Sequence, residues 1–169
     1  MAYFDTSTRG FWQSFSAAWI VAPFFLLLHL IRFQMGGVQE PFLRYFSIEI
    51  IFYVIGWVLF PLVMYYLLQA LEKEDRFFHF VVAYNWAQAI QNLVYLPVAI
   101  LFVLDIFTGP IAQFINLGLL GLVFLYTWFV TKTSVDISGG IAAAIVGLDV
   151  GIWILLNITV ETVLRNGVV

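Results

Sequence analysis

The sequence predicts an all-α membrane protein, a bundle of five transmembrane helices forming one membrane domain over residues 1–169. Three observations carry this. Hydrophobic residues make up 63% of the chain and charged residues only 10%, where a soluble domain carries about a quarter. Mean hydropathy is +1.01, so too few polar groups exist to clothe a globular surface. The polar residues gather between long apolar runs, and those runs are continuous rather than alternating, which argues for helices and against a β-barrel.

A hydrocarbon core about 30 Å thick needs roughly 20 apolar residues rising about 1.5 Å each. The first span is expected at 14–31, with Pro23 near its middle. The preceding MAYFDTSTRGFWQSF has a weakly charged start and no clear cleavage site, so it reads as a short cap rather than a signal peptide. In QMGGVQEP, Gly36 and Gly37 break the helix and Pro41 opens the next. The second span is expected at 48–71 with Pro61 inside, and it closes on LEKEDR, a run that belongs in water. The third, 80–107, ends at TGP; the fourth is 111–130. TKTSVDISGG follows, where Ser138 can cap the fifth span at 141–164. No long linker, soluble domain or low-complexity tract interrupts the chain.

Five spans put the chain ends on opposite sides. Arg9, Lys73, Arg76 and Lys132 then share the N-terminal side, and Arg32, Arg44 and Arg165 the other. The positive-inside rule favours a cytoplasmic N-terminus, by a single charge. The aromatic content of 19%, with 18 Phe and 6 Trp, suits lipid-facing and interfacial positions. The surroundings expected of such a chain are membrane lipids, with another membrane protein or a second copy as partner. A net charge of -3 without a basic tail argues against nucleic acid.

The third span contains VVAYNWAQAIQNLVYLP, Val81 to Pro97. On a helical wheel of about 100° per residue, Tyr84, Asn85, Gln88, Gln91, Asn92 and Tyr95 fall within a sector of about 120°. Lipid cannot hydrogen-bond a carboxamide, so this face should meet protein or water. Three occupants are open: a neighbouring helix, a polar cavity for a ligand or ion, or another membrane protein. The fifth span offers Asp149, at membrane depth and therefore a functional candidate by default. Asp149, Trp153, Asn157 and Glu161 recur every four residues. Asp149 is expected to hydrogen-bond an amide of the third span; the alternative is a proton- or cation-responsive site. Gly147 and Gly151 form a small-xxx-small pair that lets another helix approach closely.

Glu49, about one turn beyond Arg44 and Tyr45, reads as part of an interfacial ion pair. His29 and Arg32, at the end of the first span, read the same way, and Asp105 should reach water. Gly118 and Gly121 suggest tight packing. With no cysteine, and with His29 and His79 far apart, no metal set has zinc-like spacing. No Ser-His-Asp grouping, phosphate loop or dinucleotide fingerprint occurs, so neither catalytic residues nor a cofactor are assigned.

The segment VVAYNWAQAIQNLVYLP and the later LYTWFVTKTSVDISGGIAAAIVGLDVGI resemble bacterial members of the Yip (Rab-interacting) domain family. There an Ala-Tyr-x-x segment opens the middle helix, and a Trp-containing fourth helix runs through a short loop into a fifth rich in small residues. The resemblance covers the chain from Arg76 on. It implies a five-helix bundle with a cytoplasmic N-terminus and a non-enzymatic, adaptor-like role. It supplies no catalytic residues. The long cytoplasmic N-terminal region of the eukaryotic members has no counterpart here.

Overall fold

The computed structural model describes residues 5–36 and 40–165. Among them there are helices and no strands: α1 (Thr8–Ser14), α2 (Ser16–Gln34), α3 (Phe42–Ala70), α4 (Phe77–Val103), α5 (Gly109–Val135) and α6 (Gly139–Arg165). A 3-10 turn, Glu74–Arg76, leads into α4. α1 runs into α2 with only Phe15 between them, so five helices are long and apolar enough to cross a membrane.

The spans start earlier than apolar content alone predicts. α3 begins at Phe42 behind Pro41, whose fixed φ suits a helix entry. Its first turns include Arg44, which pairs with Glu40 four residues back at 3.2 Å. Helical geometry tolerates such polar residues at a span's end. α4 stops at Val103, before the predicted 107, because Asp105 turns to positive φ and ends the helix. Pro23, Pro61 and Pro97 lie inside helices that continue through them.

Three helices end in the same unusual way. Lys73 N–H bonds the Leu68 carbonyl and Glu72 N–H bonds Gln69; Ile106 bonds Leu101 and Asp105 bonds Phe102; Ile137 bonds Lys132. These are Schellman-type closures, in which one residue takes the left-handed conformation usually left to glycine. Here Glu72, Asp105 and Asp136 take it, with φ of 55°, 55° and 58°. Each also places a negative charge beside the helix's negative end. At the start of α6, Ser138 Oγ accepts from Ile141 N at 3.4 Å, the predicted cap. A Cβ at Gly139 would lie 3.1 Å from the Trp128 ring, a tight contact that the ring would have to relieve; the ring's Nε1 donates to the Gly139 carbonyl at 2.9 Å.

α4 is the central element. It touches α1, α2, α3 and α5, while α6 lies against α3 and α5. One core cluster joins Phe60, Met64 and Leu68 of α3 to Phe80, Val81 and Tyr84 of α4 and Ile145 of α6. A second joins Ala17, Val21 and Leu28 of α2 to Ala89, Leu96 and Ala99 of α4. Ile90 and Val94 remain exposed on the uncovered side of α4. Cationic side chains tie both ends of α3 to its neighbours' last carbonyls: Arg44 to Val163 at 2.9 Å and Lys73 to Asp136 at 3.3 Å. Gly118 and Gly121 do not serve tight packing within the chain, since nothing lies within 4 Å of a Cβ built on either.

The left-handed closures generate a prediction. Glu72→Gly removes both the steric strain and the misplaced charge at the end of α3, and should stabilise the protein by about 1 kcal/mol. Detergent-solubilised unfolding curves would measure it; a lower midpoint would mean that Glu72 makes a compensating contact.

Candidate intramembrane polar site

The polar sector of α4 is buried by several neighbours rather than one. Asn85 is fully buried, and its Nδ2 donates to Ser14 Oγ of α1 at 2.9 Å. Ser14 passes the chain on, donating to the Phe11 carbonyl at 2.7 Å. Gln91 turns to α5, donating to Thr127 Oγ1 at 3.0 Å and more weakly to the Val123 carbonyl at 3.4 Å. Tyr84 turns to α6, and its hydroxyl donates to the Asp149 carboxyl at 2.9 and 3.1 Å. Gln88 Nε2 donates to that same hydroxyl at 2.7 Å. Asn92 folds back on its own helix and donates to the Gln88 carbonyl at 2.8 Å. Tyr95 is half-buried beside the α2–α4 cluster.

The expectation that Asp149 meets an amide of the third span is therefore corrected in one particular. The contact is a phenol, Tyr84, and the amide of Gln88 stands one bond further back. The Tyr84 hydroxyl stands between the two, accepting from Gln88 and donating to Asp149. Tyr84 is also clamped in place, with Phe80 stacked on it at 5.4 Å and Phe60 tilted against it at 4.9 Å. Gln88, Tyr84 and Asp149 thus form a short relay of hydrogen bonds from α4 into α6, aimed at a carboxyl that faces no basic side chain among the described residues. Chemically, such a carboxyl can hold a proton or a small cation.

The row Asp149, Trp153, Asn157, Glu161 does not stay on this face. A step of four residues advances about 40° beyond a full turn, so three steps swing the row about 120° around the helix. Asp149 points inward, whereas Trp153 is 60% exposed and Asn157 is exposed, its Nδ2 bonded to its own helix at the Trp153 carbonyl, 2.8 Å away. Asn157 therefore lies outside the buried polar cluster. Gly147 and Gly151 lie on the outer face of α6, opposite Asp149, and no helix of this chain approaches either.

The interfacial pairings differ from expectation as well. Glu49 does not pair with Arg44, and His29 is not matched with Arg32. Instead His29, only 5% exposed, turns between helices to Tyr45 and Glu49, with Nδ1 at 2.7 Å and 3.3 Å from their oxygens. Asp105 is exposed, as expected. Ser14 and Thr127 are buried polar partners that the sequence did not single out. Serines and threonines in apolar helices ordinarily bond their own backbone, so nothing local marks the few that face an amide from a distant helix. Two fully buried acceptors, Asn85 Oδ1 and Thr131 Oγ1, have no hydrogen-bond partner among the described residues. Among the described residues, no three His, Asp or Glu side chains converge as a metal site would require.

The relay predicts a specific coupling. Tyr84→Phe leaves the Asp149 carboxyl without its donor, and Asp149→Leu removes the need for one. A double-mutant cycle should therefore return a coupling of about 1 kcal/mol, measured from thermal or denaturant midpoints in detergent; additive effects would mean that the contact contributes nothing. Gln88→Leu should destabilise by about 0.6 kcal/mol, while Asn157→Leu, on the exposed face, should leave the midpoint in place.

A comparison with protein-family models, curated proteins and solved structures finds no match to this chain.

Proposed function

We propose that this protein is a non-enzymatic integral membrane protein, a scaffold, assembly factor or accessory subunit of a larger membrane complex. The observation that carries this reading is the outer face of α6. Ala143, Gly147 and Gly151 recur there at four-residue intervals, all exposed, and a Cβ built on either glycine meets open space. α6 is also the least covered of the five long helices. A groove of this kind admits the backbone of a second helix. The connections between helices, at 35–41, 71–73, 104–108 and 136–138, are too short to build a soluble active site, so recognition belongs within the bilayer. The Yip-type resemblance implies the same class of adaptor. The resemblance to bacterial members favours a bacterial inner membrane, and the distribution of Arg and Lys favours a cytoplasmic N-terminus.

A second reading is a subunit of a small oligomeric transporter or channel. It is favoured by Asp149, whose carboxyl, among the described residues, meets the Tyr84 hydroxyl at membrane depth. Reconstituted vesicles test it, because Asp149→Asn should abolish ion or proton flux if the carboxyl carries it.

For the first reading, purification from native membranes in mild detergent should yield a stoichiometric complex, with a different membrane protein or with a second copy. Gly147→Leu combined with Gly151→Leu should leave the melting midpoint unchanged, since both sites are open, and should release the partner. A wild-type protein that elutes as a lone monomer would overturn the proposal.

A further inference from the structure

We propose that the interior of the bundle holds a binding chamber for a protonated amine with an apolar body, with Asp149 at its closed end. The proposal rests on the reading of Asp149 as an intramembrane transport site and names what that site takes. Three helices change character at one level. On α3, Phe60, Met64 and Leu68 are buried. Gly56 stands one turn before Phe60 on the same face, yet it is exposed, and a Cβ built there meets no neighbouring group within 4 Å. On α4, Phe80, Val81 and Tyr84 are buried, whereas Gln88, Asn92 and Tyr95, which continue that face, are half-buried. On α6, Ala142 and Ile145 are buried, whereas Asp149, Ile152 and Leu156 are half-buried.

These positions lie side by side. α3 and α6 run antiparallel, tied at their ends by Arg44 to the Val163 carbonyl and by Lys73 to the Asp136 carbonyl. Counting inward equally from Arg44 and from Val163 brings Gly56 level with Gly151 and Ile152. Phe60 lies against Tyr84, with ring centroids 4.9 Å apart, so one turn further along the antiparallel pair Gly56 is level with Gln88. The layer next to Phe60 and Tyr84 is therefore Gly56, Gln88 and Ile152, and α3 puts no side chain into it. Phe60, Met64, Phe80, Tyr84 and Ile145 close this space on the side of α1. α6 rests on α3 and α5 rather than on α4, and the Tyr84 hydroxyl crosses the interval to Asp149 at 2.9 Å.

The chemistry of the walls selects the occupant. The Asp149 carboxyl faces no basic side chain among the described residues. Gln88 donates through Nε2 to the Tyr84 hydroxyl, and Asn92 through Nδ2 to the Gln88 carbonyl. Their side-chain oxygens have no hydrogen-bond partner among the described residues and remain as acceptors. An anion finds no positive charge here. A metal ion finds no three converging His, Asp or Glu side chains among the described residues. A protonated amine brings what the walls lack: a positive charge for the carboxylate and N–H donors for the amide oxygens. Its apolar body fits against Ile152, Leu156 and the Tyr95 ring, which also favours a cation at its face.

The test uses the full chain in detergent micelles, with para-fluorophenethylamine as probe, fluorine NMR as readout and empty micelles as baseline. Wild-type protein should bind the amine saturably, and the neutral para-fluorophenylpropanol should stay at baseline. Asp149→Asn keeps the shape of the site and should weaken binding about tenfold, and Gln88→Leu about threefold. Gly56→Phe fills the chamber and should abolish binding. Gly56→Ala, whose methyl meets open space, should weaken binding without lowering the melting midpoint, so the result does not hang on the larger variant folding. Asn157→Leu, on the exposed face, should bind as wild type does. Binding no greater than to empty micelles, equal binding of the alcohol, or full binding by folded Asp149→Asn or Gly56→Phe protein would overturn the chamber. Vesicle flux separates this from transport. Amine binding without flux sustains the chamber and removes the transporter reading; flux lost in Asp149→Asn without amine binding overturns the chamber and leaves that reading standing.

Discussion

Everything in this bundle depends on where the polar side chains of α4 find partners. Hydrocarbon cannot satisfy a carboxamide or a phenol, so a helix carrying Tyr84, Asn85, Gln88, Gln91 and Asn92 in one sector has to be surrounded. The chain surrounds it. α1 takes Asn85, α5 takes Gln91, and α6 takes Tyr84. Each bond is modest in a membrane, because the unfolded chain also finds partners there. Their value lies in direction: three neighbours are each keyed to a different level or side of one central helix, and this fixes their rotation in a way that interchangeable apolar contacts cannot.

The same economy explains the division of labour between helices. α4 contributes its polar groups inward and leaves only Ile90 and Val94 bare. α6 does the reverse: one polar group, Asp149, faces in, and a face of small residues faces out. α6 is held by Ile145 in the core, by the Asp149 carboxyl and by bonds to its Gly139 and Val163 carbonyls. The α2–α3 seam is of a third kind, aromatic along most of its length and ionisable at one end. Polar chemistry therefore sits at two separate levels of the bundle, and the groups at each level hold together helices that sequence-adjacent packing alone would leave free to slide.

Much of this could be read from the chain before any coordinates. The five spans follow from apolar run length, since a bilayer imposes a minimum number of residues on every crossing. The caps at Pro41 and Ser138 and the break at Gly36 follow from local backbone chemistry. Span ends were less legible: the second span was expected from 48, yet α3 begins at Phe42, because a helix end at the interface tolerates charge as well as a loop does. The polar sector of α4 was legible as a sector, since a helical period puts those residues on one side whatever surrounds them.

The sequence by itself determined which residues share a face, because helix geometry is local: a residue's bearing depends only on its number along the helix. It could not determine what that face meets. Asn85 finds Ser14 across 71 residues of chain, and Tyr84 finds Asp149 across 65; neither separation leaves a local trace. The four-residue row on α6 shows the limit most clearly. Its spacing was visible, but only the placement of neighbouring helices decided that Asp149 lies inside and Asn157 outside. That decision belongs to tertiary structure, because it is made by which side of α6 is covered.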